Sequence, residues 1–314
     1  MKAKAVLGML KTITGPSVTI AQDKMIVQGK DYSLVGRLPD PLTKEGRGYI
    51  KTSLVATLTA LGDADVALGG SMADPTVNGL PVDRSEVWEL PSYEVVGELE
   101  ITSDFSSALR RALTHAGVTD VRFCLNSVYL DNGTIVSRDD HRLYKEDKAF
   151  TGDVKMIVAS SGLKAALKAL SGPMMARVTK TGMLLTTDDI TAHVLAVNGT
   201  YPEYRKVLKT APPVATATIT SKTRKALGAW KALAKVTKGG LPVMIGKEGL
   251  VTDSLSLPCH TLIYRAPTVG INYLYLMDAL ATMPEGDVEL VQDENDTFVM
   301  KSGDRLGLAM GMRI

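Results

Sequence analysis

The sequence predicts an α+β fold of three similar domains, each with two helices packed on antiparallel strands. Two observations predict it. One helical leucine pattern occurs three times at near-equal intervals, and runs of alternating apolar and polar residues fill the stretches between. The composition agrees, because 314 residues that are 45% hydrophobic and 22% charged suit two or three ordinary globular domains.

The first copy of the pattern is SLVATLTALG, with Leu54, Leu58 and Leu61. The second is GLKAALKALSG, with Leu163, Leu167 and Leu170, and the third is YLMDALATMPEG, with Leu276, Leu280 and Met283. Each set forms one apolar stripe of a helix. Leu163 follows Leu54 by 109 positions, and Leu276 follows Leu163 by 113. Gly62, Gly172 and Gly286 stand where each helix should stop. A second motif also repeats. ELEITSDFSSALRRALTHAG and TATITSKTRKALGAWKALAK each place a short strand, then Ile-Thr-Ser, then a helix, with Ser103 and Ser221 as predicted N-caps. MKAKAVLGMLKTITG reads as a degraded first copy. Strands are predicted over VRFCLNSVYL, GTIVSRDD, MMARVTKTGMLLTT, LPVMIGKEGLVTDSLSL and VELVQDENDTFVMKS. The expected domains are residues 1–90, 91–212 and 213–314.

The formal net charge is +2, and each third of the chain is nearly balanced, yet charge separates within the last third. Residues 222–238 hold six Lys or Arg and no acid, whereas 278–304 hold eight Asp or Glu and one Lys. On a helix over 222–238, Arg224, Lys231, Lys235 and Lys238 fall within about 60° of one another at 100° per residue, opposite Ala226, Ala229, Trp230 and Leu233. On a helix over 104–116, Phe105, Ala108, Leu109, Ala112, Leu113 and Ala116 form the buried face, with Arg110 and Arg111 opposite. Lys164 and Lys168 lie off the second leucine stripe. These faces lack the acids that would pair with Lys at i, i+4. The plain reading is a solvated face, but an unpaired basic set repeated across domains, Arg110, Arg111, Lys164, Lys168, Arg224, Lys231, Lys235 and Lys238, suits a phosphate backbone contacted without reading bases. No aromatic residues interleave with them, which argues against a single-strand stacking platform.

Other chemistries are poorly supported. Asp139, Asp140 and His141 are contiguous, and neighbours on a strand point to opposite faces, so they make a poor chelator. DDITAH (188–193) reads as a turn and strand, and His115 and His260 have no acidic or Cys neighbours. There is no P-loop and no G-x-S-x-G. The expectation is a protein that is not an enzyme and has no cofactor and no metal. Cys124 and Cys259 are far apart and form no CxxC, which suits a reducing, cytoplasmic setting. No apolar run reaches the ~18 residues of a membrane span. Lys11 interrupts the apolar patch of the N-terminal stretch, so a secretion signal is not expected.

The stretch DVRFCLNSVYLDNGTIVSRDDHRLYKEDKAF (120–150) resembles the middle domain of the bacterial-type DNA polymerase III beta sliding clamp family. In that family a VR-aromatic-x-LNG strand leads to a TDGHRL turn; VRFCLNS and RDDHRL stand in those places here. NGTYPEYRKVL (198–208) is similar to the segment that closes that domain. INYLYLMDAL (271–280) is similar to the second helix of the third domain, and LAMGMRI (308–314) to the family's VMPMRL terminus. These motifs keep the family order over residues 98–314. NGLPVDRSEVWELP is similar to the exit of the first domain, which is shorter here and leans the source toward a virus.

The resemblance implies three DNA-clamp domains per subunit, assembling as a homodimeric ring with helices lining the hole and sheets outside. It implies a processivity factor that encircles double-stranded DNA without sequence preference. The partners it implies are a DNA polymerase, a clamp loader, other proteins with clamp-binding motifs and a second copy of the chain. It also implies a hydrophobic peptide-binding cleft between domains two and three. That cleft would be made of Leu125, Arg138, His141, Arg142, Leu143, Val207, Tyr275, Met310, Met312, Arg313 and Ile314. The chain departs from the family pattern at Arg138 (threonine), Asp140 (glycine), Lys209 (often proline) and Gly311 (proline), the last predicting a looser tail. Two alternatives stand beside this reading: a clamp homologue acting as a replisome inhibitor or decoy, and a non-ring DNA-binding scaffold.

Overall fold

The computed structural model describes residues 2–12, 15–38, 41–71, 73–89, 91–209 and 211–313. Ile314, expected in the cleft, lies outside them. The chain forms two compact units, one of residues 1–106, 150–152 and 156–198, the other of 107–149, 153–155 and 199–314. The middle third of the sequence thus contributes to both.

All three leucine stripes are helices: Lys51–Leu61, Ser160–Ala169 and Tyr273–Thr282. Each leaves its preceding strand through the same backbone bend, at Ile50 (φ −67, ψ 122), Ala159 (φ −59, ψ 125) and Asn272 (φ −60, ψ 127). The stripes face inward, with Leu54, Leu58, Leu163, Leu167, Leu170, Leu276, Leu280 and Met283 all buried. Burial of such a side chain contributes roughly 1.5–3 kcal/mol, and this holds each helix to its sheet. Beyond the helix ends Gly62, Gly172 and Gly286 have φ of 58, 84 and 112, a region open to glycine at little cost.

The second kind of helix occurs as Ala3–Thr12, Phe105–Leu113 and Ser221–Leu227. The last two follow the strands Val95–Ile101 and Pro213–Ile219. Two expected caps shift. Ser221 is the first helical residue, and Thr220 is the N-cap, its Oγ1 accepting the Thr223 N–H at 3.1 Å. The helix Phe105–Leu113 starts two residues past Ser103. The expected helix over 222–238 is also interrupted. It runs as Ser221–Leu227, a 3-10 turn Gly228–Trp230 and a helix Lys231–Val236. The break falls at Gly228, a poor helix former. Leu227, Trp230 and Ala234 are buried there, while Ala229, placed on the apolar side by the uninterrupted wheel, is exposed.

The same sheet construction appears in each unit. In the first, the strands Ser17–Gln22, Lys24–Gln28, Tyr32–Arg37 and Ile190–Leu195 are neighbours, with pairs Ile20↔Met25, Ile26↔Val35 and Tyr32↔Val194. In the second, Ser127–Asp131, Thr134–Arg138, Arg142–Glu146 and Arg305–Arg313 repeat it, with pairs Leu130↔Ile135, Val136↔Lys145 and Arg142↔Ala309. All these pairings are antiparallel. Strands from different thirds of the chain therefore pair within one sheet. The core of the second unit includes Leu227, Trp230, Tyr273, Leu276, Leu280 and Phe298.

Candidate peptide-binding and nucleic-acid interfaces

The turn between Thr134–Arg138 and Arg142–Glu146 is built by Asp139. Its Oδ1 accepts the N–H groups of His141 and Arg142, both at 2.9 Å, and its Oδ2 accepts Arg142 Nε at 2.8 Å. This is a side-chain turn that fixes the backbone without glycine. Asp140 points elsewhere and takes a hydrogen bond from Arg122. The two carboxylates thus diverge, each onto its own arginine. Among the described residues no group of three or more His, Cys, Asp or Glu could hold a metal ion.

His141 and Arg142 lead to two other elements. The carbonyl of His141 accepts the N–H of Met310 at 2.7 Å, bringing the chain end alongside the turn. The imidazole of His141 lies 6.1 Å from the ring of Tyr275 with 21° between planes. The guanidinium of Arg142 sits 4.8 Å from the centre of that same ring and also donates to the Asp278 carboxylate. Burial works against the Arg142 charge, but the Asp139 and Asp278 carboxylates outweigh it and hold its pKa above the usual value. Partial burial, reinforced by Asp139, raises the Tyr275 hydroxyl pKa, so the ring stays neutral. Residues 141, 142, 275 and 310, distant in sequence, make one surface.

The tail is a strand, Arg305–Arg313, paired on both sides. Gly311 donates its N–H to Asp296 O at 2.7 Å, and Gly270↔Met312 and Val269↔Arg313 are in register. This corrects the expectation of a looser tail. Glycine is required there because a Cβ at 311 would lie 2.6 Å from Asp296 O, and proline would also lack the N–H. Met310 is exposed, Met312 half-buried and Arg313 exposed.

Leu125 and Leu143 are 0% and 1% exposed, so they lie beneath this surface and do not form an open wall. The segment 198–208 is fastened to the sheet by its tyrosines. Tyr201 stacks on Tyr129 at 4.8 Å, while Tyr204 Oη and Arg205 donate to buried Asp131 at 2.8 and 2.6 Å. Exposed Val207 ends the 3-10 turn that follows, and Arg138 lies close enough to Tyr201 for its charge to act on the hydroxyl. His115 is fully buried below, against Tyr144 and near Arg142. Asp278 and Arg122, which hold Arg142 and Asp140, were not among the residues expected from the sequence. Asp278 stands one helical turn after Tyr275, a spacing that could have marked it.

The basic residues divide. Lys164 and Lys168 are exposed on the helix Ser160–Ala169 of the first unit. Lys51 lies near Lys168; burial, with that second charge, holds its ammonium below the ordinary lysine pKa. In the second unit Arg110, Lys231, Lys235 and Lys238 are exposed, although Lys238 sits in the turn after the helix. No carboxylate among the described residues pairs with Lys164, Lys168, Lys231, Lys235 or Lys238. Two expected members are turned inward. Arg111 is held by Glu146 at 2.8 Å and by Tyr144 Oη at 3.1 Å. Arg224 is half-buried and donates to Pro284 O at 3.2 Å. Neither is an outward-facing cation of the kind the helical wheel implied.

No family model matches the sequence, and no curated protein matches it. Solved structures do. A DNA polymerase sliding clamp from Pseudomonas aeruginosa aligns with a TM-score of 0.77 at 17% identity, covering 100% of this chain and 99% of that one. The DNA polymerase III beta subunit from Thermotoga maritima aligns at 0.79 and 12% identity, covering 100% and 98%. DNA polymerase III subunit beta from Borrelia burgdorferi, solved with a natural product, aligns at 0.80 and 12%, again covering 100% and 98%. Over its whole length, the chain has the fold of the DNA polymerase III beta subunits.

Proposed function

We propose that this chain is a DNA sliding clamp. In this reading it has three clamp domains, 1–90, 91–212 and 213–314, and two copies close into a homodimeric ring around duplex DNA. It acts in the cytoplasm as a tether and not as a catalyst, and an external ATP-driven loader opens the ring. The observation that carries the reading is the convergence of His141, Arg142, Tyr275 and Met310 on one partly apolar, aromatic-lined surface. A short peptide from a polymerase or another client would seat a Leu or Phe there, with methionine adapting to its shape. Arg138, Val207, Met312, Arg313 and Ile314 would rim the site.

The exposed cations Arg110, Lys164, Lys168, Lys231, Lys235 and Lys238 supply the DNA contact. Loose, sequence-blind phosphate contacts permit sliding, where tight base contacts would arrest it. Neutralising Lys231, Lys235 and Lys238 together should weaken retention on circular DNA and flatten its salt dependence by about three units of slope. Unchanged retention would remove these residues from the DNA face. Removing Met312–Ile314 should abolish binding of a polymerase-derived peptide, and binding that survived would refute the peptide site.

A further inference from the structure

The Arg122–Asp140 ion pair joins two segments at one end of the sheet of the second unit, and it has a use that the peptide site alone does not explain. Arg122 stands just before the 3-10 turn Phe123–Asn126 that leads into the strand Ser127–Asp131. Asp140 stands in the turn between the next two strands. Leu125 and Leu143, each three positions further along the chain, belong to that same sheet end and are 0% and 1% exposed. Both partners of the pair are about half exposed, with side-chain exposures of 50% and 53%.

Most exposed ion pairs contribute little, because two long side chains must be ordered to form them. Here both ends are ordered in advance. Arg122 is gripped by Asp120 through its backbone N–H at 2.8 Å and its Nε at 3.1 Å. Asp120 is itself fixed by two hydrogen bonds with Asn126, at 2.9 and 2.8 Å. On the other side Asp139 fixes the turn that carries Asp140. The pair is therefore a persistent link between two rigid segments.

We propose that Arg122–Asp140 is a strap across the leucine floor, which a client's apolar side chain must displace to reach Leu125 and Leu143. Asp140 is then the residue that sets client affinity. This rests on the peptide-site reading above. A strap of this kind makes binding of an uncharged peptide stronger as salt rises, opposite in sign to DNA binding, because salt screens the pair.

The test uses the full-length protein and a fluorescent, uncharged peptide ending in Leu-Phe, with affinity read by anisotropy at about 0.05 and 0.5 M salt, which spans strong to weak persistence of the pair. Asp140→Ala and Arg122→Ala should each bind about threefold tighter than wild type at low salt, and the double variant no tighter than either. Wild type alone should tighten with salt. If the wild type binds and Asp140→Ala binds equally or more weakly with an unchanged thermal midpoint, the strap is refuted while the peptide site stands. If neither protein binds the peptide, the peptide site itself fails and the strap with it.

Discussion

Two turns in this molecule share a backbone and differ in what they offer. In the first unit Gly29 N–H donates to Tyr32 O at 2.9 Å, and Leu195 N–H donates to Asp31 O at 2.9 Å. In the second unit Asp139 N–H donates to Arg142 O at 3.1 Å, and Met310 N–H donates to His141 O at 2.7 Å. Each turn faces the start of a leucine-stripe helix. The third residue of that helix is Gly162 in one case and Tyr275 in the other. A Cβ at Gly162 would lie 2.6 Å from Asp31 O and 2.7 Å from Val194 Cγ1, so helix and turn are in direct backbone contact. Ser161 closes the junction further by donating to the Asp31 carboxylate. At Tyr275 a ring stands where the glycine was, stacked beside His141 and Arg142. One helix position separates a sealed backbone joint from an aromatic-lined surface.

Exchanging those two residues tests the comparison most strongly. Gly162→Tyr should destabilise the protein by about 3 kcal/mol or more, because the close neighbours include backbone that cannot yield. Thermal or urea unfolding would show it, and a variant as stable as wild type would disprove the tight contact. Tyr275→Gly should leave most of the stability but cost about 2 kcal/mol of peptide binding, roughly thirtyfold, measurable by titration calorimetry. Gly311→Ala should cost about 1–3 kcal/mol of stability by forcing the tail strand away from Asp296. A pH-dependent effect distinguishes the ground below the second turn. Burial, aided by the nearby Arg142 charge, pushes the His115 pKa down to about 3 from 6.5. The unfolded chain then binds the extra proton, so this contribution is complete above pH 6.5 and declines as pH falls toward 3. His115→Phe should flatten that part of the pH–stability curve. Burial lowers His193 as well, and it should leave a residual slope of the same sign.

The repeat was legible because it rests on short-range physics. Leucines at i, i+4 and i+7 followed by glycine mark a buried helix and its stop, and all three predicted stripes are such helices. Legibility failed where a distant partner intervenes. A wheel drawn on residues 104–116 turns Arg111 outward, yet Glu146 and Tyr144 reach it from the sheet and hold it in. A wheel over 222–238 assumes an unbroken helix, and the 3-10 turn at Gly228 moves Ala229 out and leaves Lys238 in a turn. Gly311 read as slack in the tail, because the sequence carries no sign that Asp296 O would sit against its Cα.

The cluster Asp139-Asp140-His141 marks the same divide. The family resemblance carried by VRFCLNS, RDDHRL, INYLYLMDAL and LAMGMRI was what led to the expectation that the turn, the tail and the helix at Tyr275 share one site. Local chemistry also argued against a metal, since adjacent strand residues point apart. The fate of each side chain was not in those residues. Asp139 shapes the turn, Asp140 meets Arg122, and Arg142 is shared between Asp139, Asp278 and the Tyr275 ring. Helix periodicity and turn chemistry act over a few residues and are written in order along the chain. Ion pairs and ring contacts act through space, between residues whose separation in sequence says nothing of their distance.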